Sequence, residues 1–207
     1  MAGAVQNSGS YQILNGAEVT YTGAFVNDGT VRVIGSTAEF QTMTNRGHLE
    51  VDPSTVSFVD LVVETGGWIT ATAGDRFIIG NSFENHSERA DLWSTQSAIL
   101  QVTGVGNKTL LTPGTSAFAW GELVIDSGAI VQLGDGDAIT GGGFFVGKLT
   151  GLTIVGTVVT NVYGNGMDLL YDPNLNPDLA GLQLFLADGG RIAAVPEPAT
   201  WVLLGLG

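Results

Sequence analysis

Asn27-Asp28-Gly29-Thr30-Val31-Arg32-Val33 and Asn45-Arg46-Gly47-His48-Leu49-Glu50-Val51 share one pattern: polar, any, Gly, any, apolar, any, apolar. Two further segments carry it, Asn7-Ser8-Gly9-Ser10-Tyr11-Gln12-Ile13 and Thr65-Gly66-Gly67-Trp68-Ile69-Thr70-Ala71. The aligned glycines fall at 9, 29, 47 and 67, a step of 18 to 20 residues. Asn and Gly tolerate positive φ, so the chain turns there. The alternation that follows puts Tyr11, Val31, Leu49 and Ile69 on one face, with Ile13, Val33, Val51 and Ala71 beside them.

One such strand cannot bury its apolar face alone. Stacked at a fixed period, the four form a parallel sheet over a continuous core. Half a period away lie Ala17–Tyr21, Ala38–Thr42 and Val56–Asp60, so each rung carries at least two strands. The expected fold is all-β, a right-handed parallel β-helix (β-solenoid) with an irregular C-terminal cap. An antiparallel β-sandwich explains the composition as well, but not the glycine period. The stacking makes a register claim: Arg32 lies over Glu50, and Thr30 over His48.

The composition suits this fold. Of 207 residues 31 are Gly, none is Cys and only 13% are charged, which is β composition with many tight turns. The 44% hydrophobic content argues against disorder. No cysteine means no thiol catalysis, disulfide or thiolate metal site. The 20 acidic and 7 basic residues give a net charge of -13. The basic residues are scattered singly, so neither nucleic acid nor an anionic membrane surface is expected as a partner.

After about Asp75 the repeat fades. Gly80 to Thr95 reads as a polar loop or short helix. Strand signals return at Ala98–Val102, Glu122–Ile125, Ile130–Leu133 and throughout Gly143–Thr160. Tyr171 to Pro177 reads as a loop, since its prolines suit neither helix nor central strand. The expected organisation is one solenoid domain over residues 1–192, regular to about 74 and irregular from about 75, followed by a distinct segment at 193–207.

Few constellations carry chemistry. Asp172 to Asp178 spaces oxygens like a calcium loop, but Pro177 and Gln183 stand where Gly and Glu are required, so an Asx-supported turn is expected. Asp135-Gly136-Asp137 is a second fragment, equally compatible with a turn. Ca²⁺ is thus a candidate ion through Asp135, Asp137 and Asp172, and no cofactor is expected. His48 is placed on an outward, solvated strand position. His86 lies in a loop, and neither histidine has zinc spacing. No nucleophile elbow or phosphate loop is present. Glu84 with Glu88, Asp135 with Asp137, and the Arg32–His48–Glu50 cluster are the enzyme-like groups. No catalytic residue is assigned.

The carboxy-terminal stretch reads Val195-Pro196-Glu197-Pro198-Ala199-Thr200-Trp201-Val202-Leu203-Leu204-Gly205-Leu206-Gly207. It resembles the start of a PEP-CTERM sorting signal, in which Pro-Glu-Pro precedes an apolar transmembrane segment and a basic tail. Asp75-Arg76-Phe77 with Asn85, Leu92-Trp93, Phe118-Ala119-Trp120-Gly121 and Gly164 to Pro173 resemble a C-terminal region seen in some such proteins, so the resemblance covers roughly residues 75–207. The resemblance implies export by a Gram-negative bacterium, an exosortase acting on Pro196, Glu197 and Pro198 in the full-length precursor, and an association with exopolysaccharide and biofilm. Nine residues follow Pro198, too few for the roughly 20 that span a bilayer, so the signal is expected to be truncated. Residues 1–6 lack the pattern of a leader.

The expected function is an exported, non-catalytic structural or adhesive protein of the cell surface or matrix, whose exposed Thr, Asn and Trp bond or stack on polysaccharide. A carbohydrate-active β-helix enzyme and a self-assembling filament subunit are the alternatives.

Overall fold

The computed structural model describes residues 4–135 and 142–195. It is 59% strand and 3% helix, a β-solenoid of about 9 turns. The first rungs contain β1 (Val5–Asn7), β2 (Ser10–Leu14), β3 (Glu18–Asn27), β4 (Thr30–Ile34), β5 (Thr37–Asn45), β6 (His48–Asp52), β7 (Thr55–Val63), β8 (Trp68–Ala71) and β9 (Arg76–Asn85). Short strands β2-β4-β6-β8 form one parallel sheet, and long strands β1-β3-β5-β7-β9 begin another. All pairs in this half are parallel, which overturns the antiparallel sandwich. The register is the expected one, Arg32 beside Glu50 and Thr30 beside His48.

Each long strand is bent. In β5, Ala38, Phe40, Met43 and Asn45 point inward, so the alternation slips by one residue after Phe40. The slip recurs in β3 between Tyr21 and Ala24 and in β7 between Phe58 and Asp60. An extra residue bends a strand and turns both halves toward the same core. A rung therefore has three inward-facing faces, where periodicity alone counted at least two.

Two corners of the rung are locked by polar side chains. At the first, Asn7 donates Nδ2–H to Asn27 Oδ1 (2.8 Å) and Asn27 donates to Asn45 Oδ1 (2.7 Å). Asn27 Oδ1 also accepts from Gly29 N, and Asn27 Nδ2 donates to the His48 carbonyl. Asn27 and Asn45 are fully buried, so every amide position needs a partner. In the next rung Val63 takes this place, and Asn45 turns its amide to the carbonyls of Gly47 and Trp68. At the second corner Ser36 N donates to Ser54 Oγ, and Ser54 N to Asp75 Oδ1 (2.7 Å). Burial pushes the Asp75 carboxyl above its ordinary value, against the bonds it accepts from Thr72 and Ser54.

The glycine period has a steric cause. A Cβ at Gly47 would lie 2.0 Å from the Gly29 carbonyl oxygen, and one at Gly29 would lie 2.1 Å from that of Gly9. Consecutive corners approach too closely for any side chain. Inside, Tyr21, Phe40, Phe58 and Phe77 stack with centroids 5.0, 5.4 and 6.5 Å apart and planes within 14°. Trp120 ends the column edge-on against Phe77.

The parallel stack continues beyond Ala71 through β10 (Ile99–Val102), β11 (Gly106–Thr112), β12 (Trp120–Ile125), β13 (Ala129–Asp135) and β14 (Gly143–Thr150). Then come β15 (Ile154–Val155), β16 (Val158–Val159), β17 (Val162–Tyr163), β18 (Asp168–Tyr171), β19 (Leu184–Leu186) and β20 (Arg191–Ala194). Arg76 pairs with Ile99, and Ile99 with Glu122, so the rung has lengthened to 23 residues. Antiparallel pairs occur only late among the described residues, between β15 and β16 and between β19 and β20.

The loop expected from Gly80 is a strand as far as Asn85. Phe77, Ile79, Phe83 and Asn85 point inward there, and the phase slip between Ile79 and Phe83 hides the alternation. No helix follows; Trp93 folds inward and bonds Thr95 Oγ1 through its indole N–H. Gly143–Thr160 holds one long strand and two short ones, divided by a turn at Gly151.

Replacing Asn27 by Ala should lower the urea midpoint sharply. It strands several buried donors and acceptors, each worth about 1–3 kcal/mol when unpaired. The exposed Gln12→Ala should leave the midpoint nearly unchanged. Equal midpoints for the two variants would remove the amide ladder from the account of stability.

Candidate functional site

The outer face of β2-β4-β6-β8 carries the Arg32–His48–Glu50 cluster. Glu50 accepts two bonds from Arg32, at Nε (2.7 Å) and Nη2 (3.0 Å). This fork fixes both side chains along the solenoid axis. His48 is not a free solvated group as expected. Its ring stacks on Trp68 at 4.9 Å, and its Nε2 lies 2.7 Å from Thr70 Oγ1. The Arg89 guanidinium sits 5.4 Å from the Trp68 centroid. Burial, together with Arg32, holds the His48 imidazole below its ordinary value despite the pull of Glu50.

The described tryptophans are engaged within the fold. His48 covers one side of Trp68, and Arg89 also lies against the ring. Trp93 and Trp120 are buried. Trp201 lies outside the described residues.

The other ionisable candidates are also engaged. Arg46 pairs with Asp28, Arg89 with Asp91, Lys148 with Glu122 and Arg191 with Asp168. Glu84 lies 3.6 Å from His86 at the end of β9. Arg76 donates to Gln101, and Gln101 to Asp126, another outward ladder.

Asp172 forms the expected Asx turn, accepting from Asn174 N at 2.8 Å. Asn176 pins the loop to the neighbouring rung, donating to the Gly147 carbonyl and accepting from Leu149 N. Asp135 ends β13. Asp137 and the sorting residues Pro196, Glu197 and Pro198 lie outside the described residues. Among the described residues no group of three or more His, Asp or Glu side chains is gathered for a metal.

Two grooves remain. One, about 420 Å³, follows the serine corner past Gly16, Glu18, Ser36, Thr37, Ser54 and Thr55. The other, about 260 Å³, runs beside the strand bends of β3, β5, β7 and β9. One wall is the in-register row Thr20, Glu39, Ser57 and Ile78. The other is Thr22, Gln41, Val59, Gly80 and Thr103. Between them the column of half-buried Tyr21 with buried Phe40 and Phe58 underlies the floor. The sequence reading missed this groove, because its walls assemble only when positions two apart on each strand are stacked in register.

No protein-family model matches the chain, and no curated protein or solved structure matches it either.

The histidine shift has a definite sign. A folded-state value below the unfolded one means that the unfolded chain binds the proton better. Stability from this term is complete above the ordinary histidine value of about 6.5 and declines as pH falls through and below it. The His48 ring signal in an NMR titration should therefore have a midpoint below that of a free histidine. Arg32→Gln should raise it, because the neighbouring positive charge is gone. A midpoint above the free value in the unmodified protein would contradict the packing described.

Proposed function

We propose that the protein is an exported, non-catalytic structural or adhesive component of the bacterial cell surface or extracellular matrix, working alongside exopolysaccharide. The observation that carries this reading is how its ionisable side chains are engaged. Those on the outer face of β2-β4-β6-β8 join rung to rung, as in Arg32–Glu50 and His48–Thr70, and hold the stack instead of converging on a cleft. A glycoside hydrolase needs two carboxyl groups facing across one site. Each of the two grooves has a single carboxylate in its lining, Glu39 in one and Glu18 in the other. This weighs against the carbohydrate-active enzyme.

Delivery rests on the resemblance of Val195–Gly207 to a PEP-CTERM signal, with an exosortase of a Gram-negative host as the processing partner. The -13 net charge suits a soluble surface that avoids anionic polymers. Stacked parallel rungs with interlocked corners resist bending, which is the mechanical property a matrix rod requires.

Fractionation of the producing bacterium tests the proposal. Antibody should find the protein in the matrix and cell-surface fractions, and in the membrane fraction when the exosortase gene is deleted. Recovery from the cytosol in both strains would overturn it.

A further inference from the structure

We infer that the groove beside the strand bends is a binding site for one strand of an uncharged polysaccharide lying along the solenoid axis. The inference rests on the matrix reading above and gives it a contact surface. The first support is the lining. Val59 and Ile78 provide apolar patches among the hydroxyls and amide of Thr20, Thr22, Gln41, Ser57 and Thr103. A pyranose ring has the same two characters, C–H faces and an equatorial belt of hydroxyls. Binding clefts combine apolar contact with a few placed polar groups in this way.

The second support is that polar groups here are uncommitted. Thr22, Gln41 and Thr103 make no side-chain hydrogen bond among the described residues. Gln41 has both a donor and an acceptor to offer. Thr20, by contrast, donates to Glu39 (3.2 Å).

The third support concerns charge and dimensions. No Lys or Arg lines the groove, and Glu39 is its only carboxylate. A polyanion would meet no counter-charge and an acidic protein, which excludes nucleic acid and uronate-rich polymers. The walls are rows two residues apart, so they stand about 6.6 Å from one another. A peptide adding as a strand needs an unpaired sheet edge, whereas β3, β5 and β7 are paired on both sides.

Gly80 provides the means to block the site. A Cβ there would meet the Phe58 carbonyl oxygen at 3.4 Å and Val59 Cα at 3.5 Å, ordinary contact distances, and its φ is outside the left-handed region. Gly80→Leu should thus fold while filling the groove.

Native affinity electrophoresis of the full chain, in gels containing hydroxyethylcellulose, galactomannan or dextran, tests the inference. At least one neutral polymer should retard the protein, and carboxymethylcellulose should not. Gly80→Leu should weaken retardation at least tenfold in polymer concentration, and the double variant Gln41→Ala, Thr103→Ala about fivefold. Thr55→Leu, in the other groove, should leave it unchanged. Circular dichroism and melting temperature confirm that each variant is folded. Failure of all three neutral polymers to retard the protein, or equal retardation of folded Gly80→Leu, would overturn the site. Equal loss with Thr55→Leu would place binding elsewhere and also overturn it. The matrix assignment would survive any of these, since localisation decides it separately.

Discussion

Everything in this molecule depends on consecutive corners of the chain coming into backbone contact. A parallel solenoid holds together only if each rung lies directly over the last, with strands about 4.8 Å apart. The corners at Gly29 and Gly47 achieve this because neither residue has a Cβ to hold them apart. The buried amides of Asn27 and Asn45 then convert close approach into register, since each accepts from one rung and donates to the next. A shift of one rung by a single residue would strand these groups in an apolar interior.

Register set at the corners propagates to both surfaces. Inward, it stacks like on like: Tyr21, Phe40 and Phe58 form an aromatic column because the same position in each rung is aromatic. Outward, it lines up side chains of complementary charge or hydrogen bonding, as in Arg32–Glu50, His48–Thr70 and Arg76–Gln101. The same alignment stacks His48 on Trp68 and engages it in structure. The groove beside the bends also presents unbonded polar side chains, Thr22, Gln41 and Thr103. Structure and candidate function thus both follow from one stacking rule.

The regular rungs were legible because their signal is local. Glycines 18 to 20 residues apart, each followed by period-two alternation, specify turn, strand and face without knowledge of the rest of the chain. The Arg32–Glu50 neighbour pair followed from that period. The strand Arg76–Asn85 was not legible, because its alternation slips at the bend and the polar residues Asn81 and Ser82 face Asp60 of the preceding rung. Later rungs of 23 residues carry insertions that break the period while preserving the stack.

By itself the sequence determined the all-β class, the parallel stacking of the first rungs, the register between them and the absence of thiol chemistry. Each of these follows from residue identity and short-range spacing. Only the tertiary structure decided the environment of each outward side chain. It placed His48 and Arg89 against Trp68, and raised two walls around an aromatic-backed floor. The reason is geometric: a strand's own spacing states which face a residue occupies, but what lies beside it on that face comes from another rung, some twenty residues away.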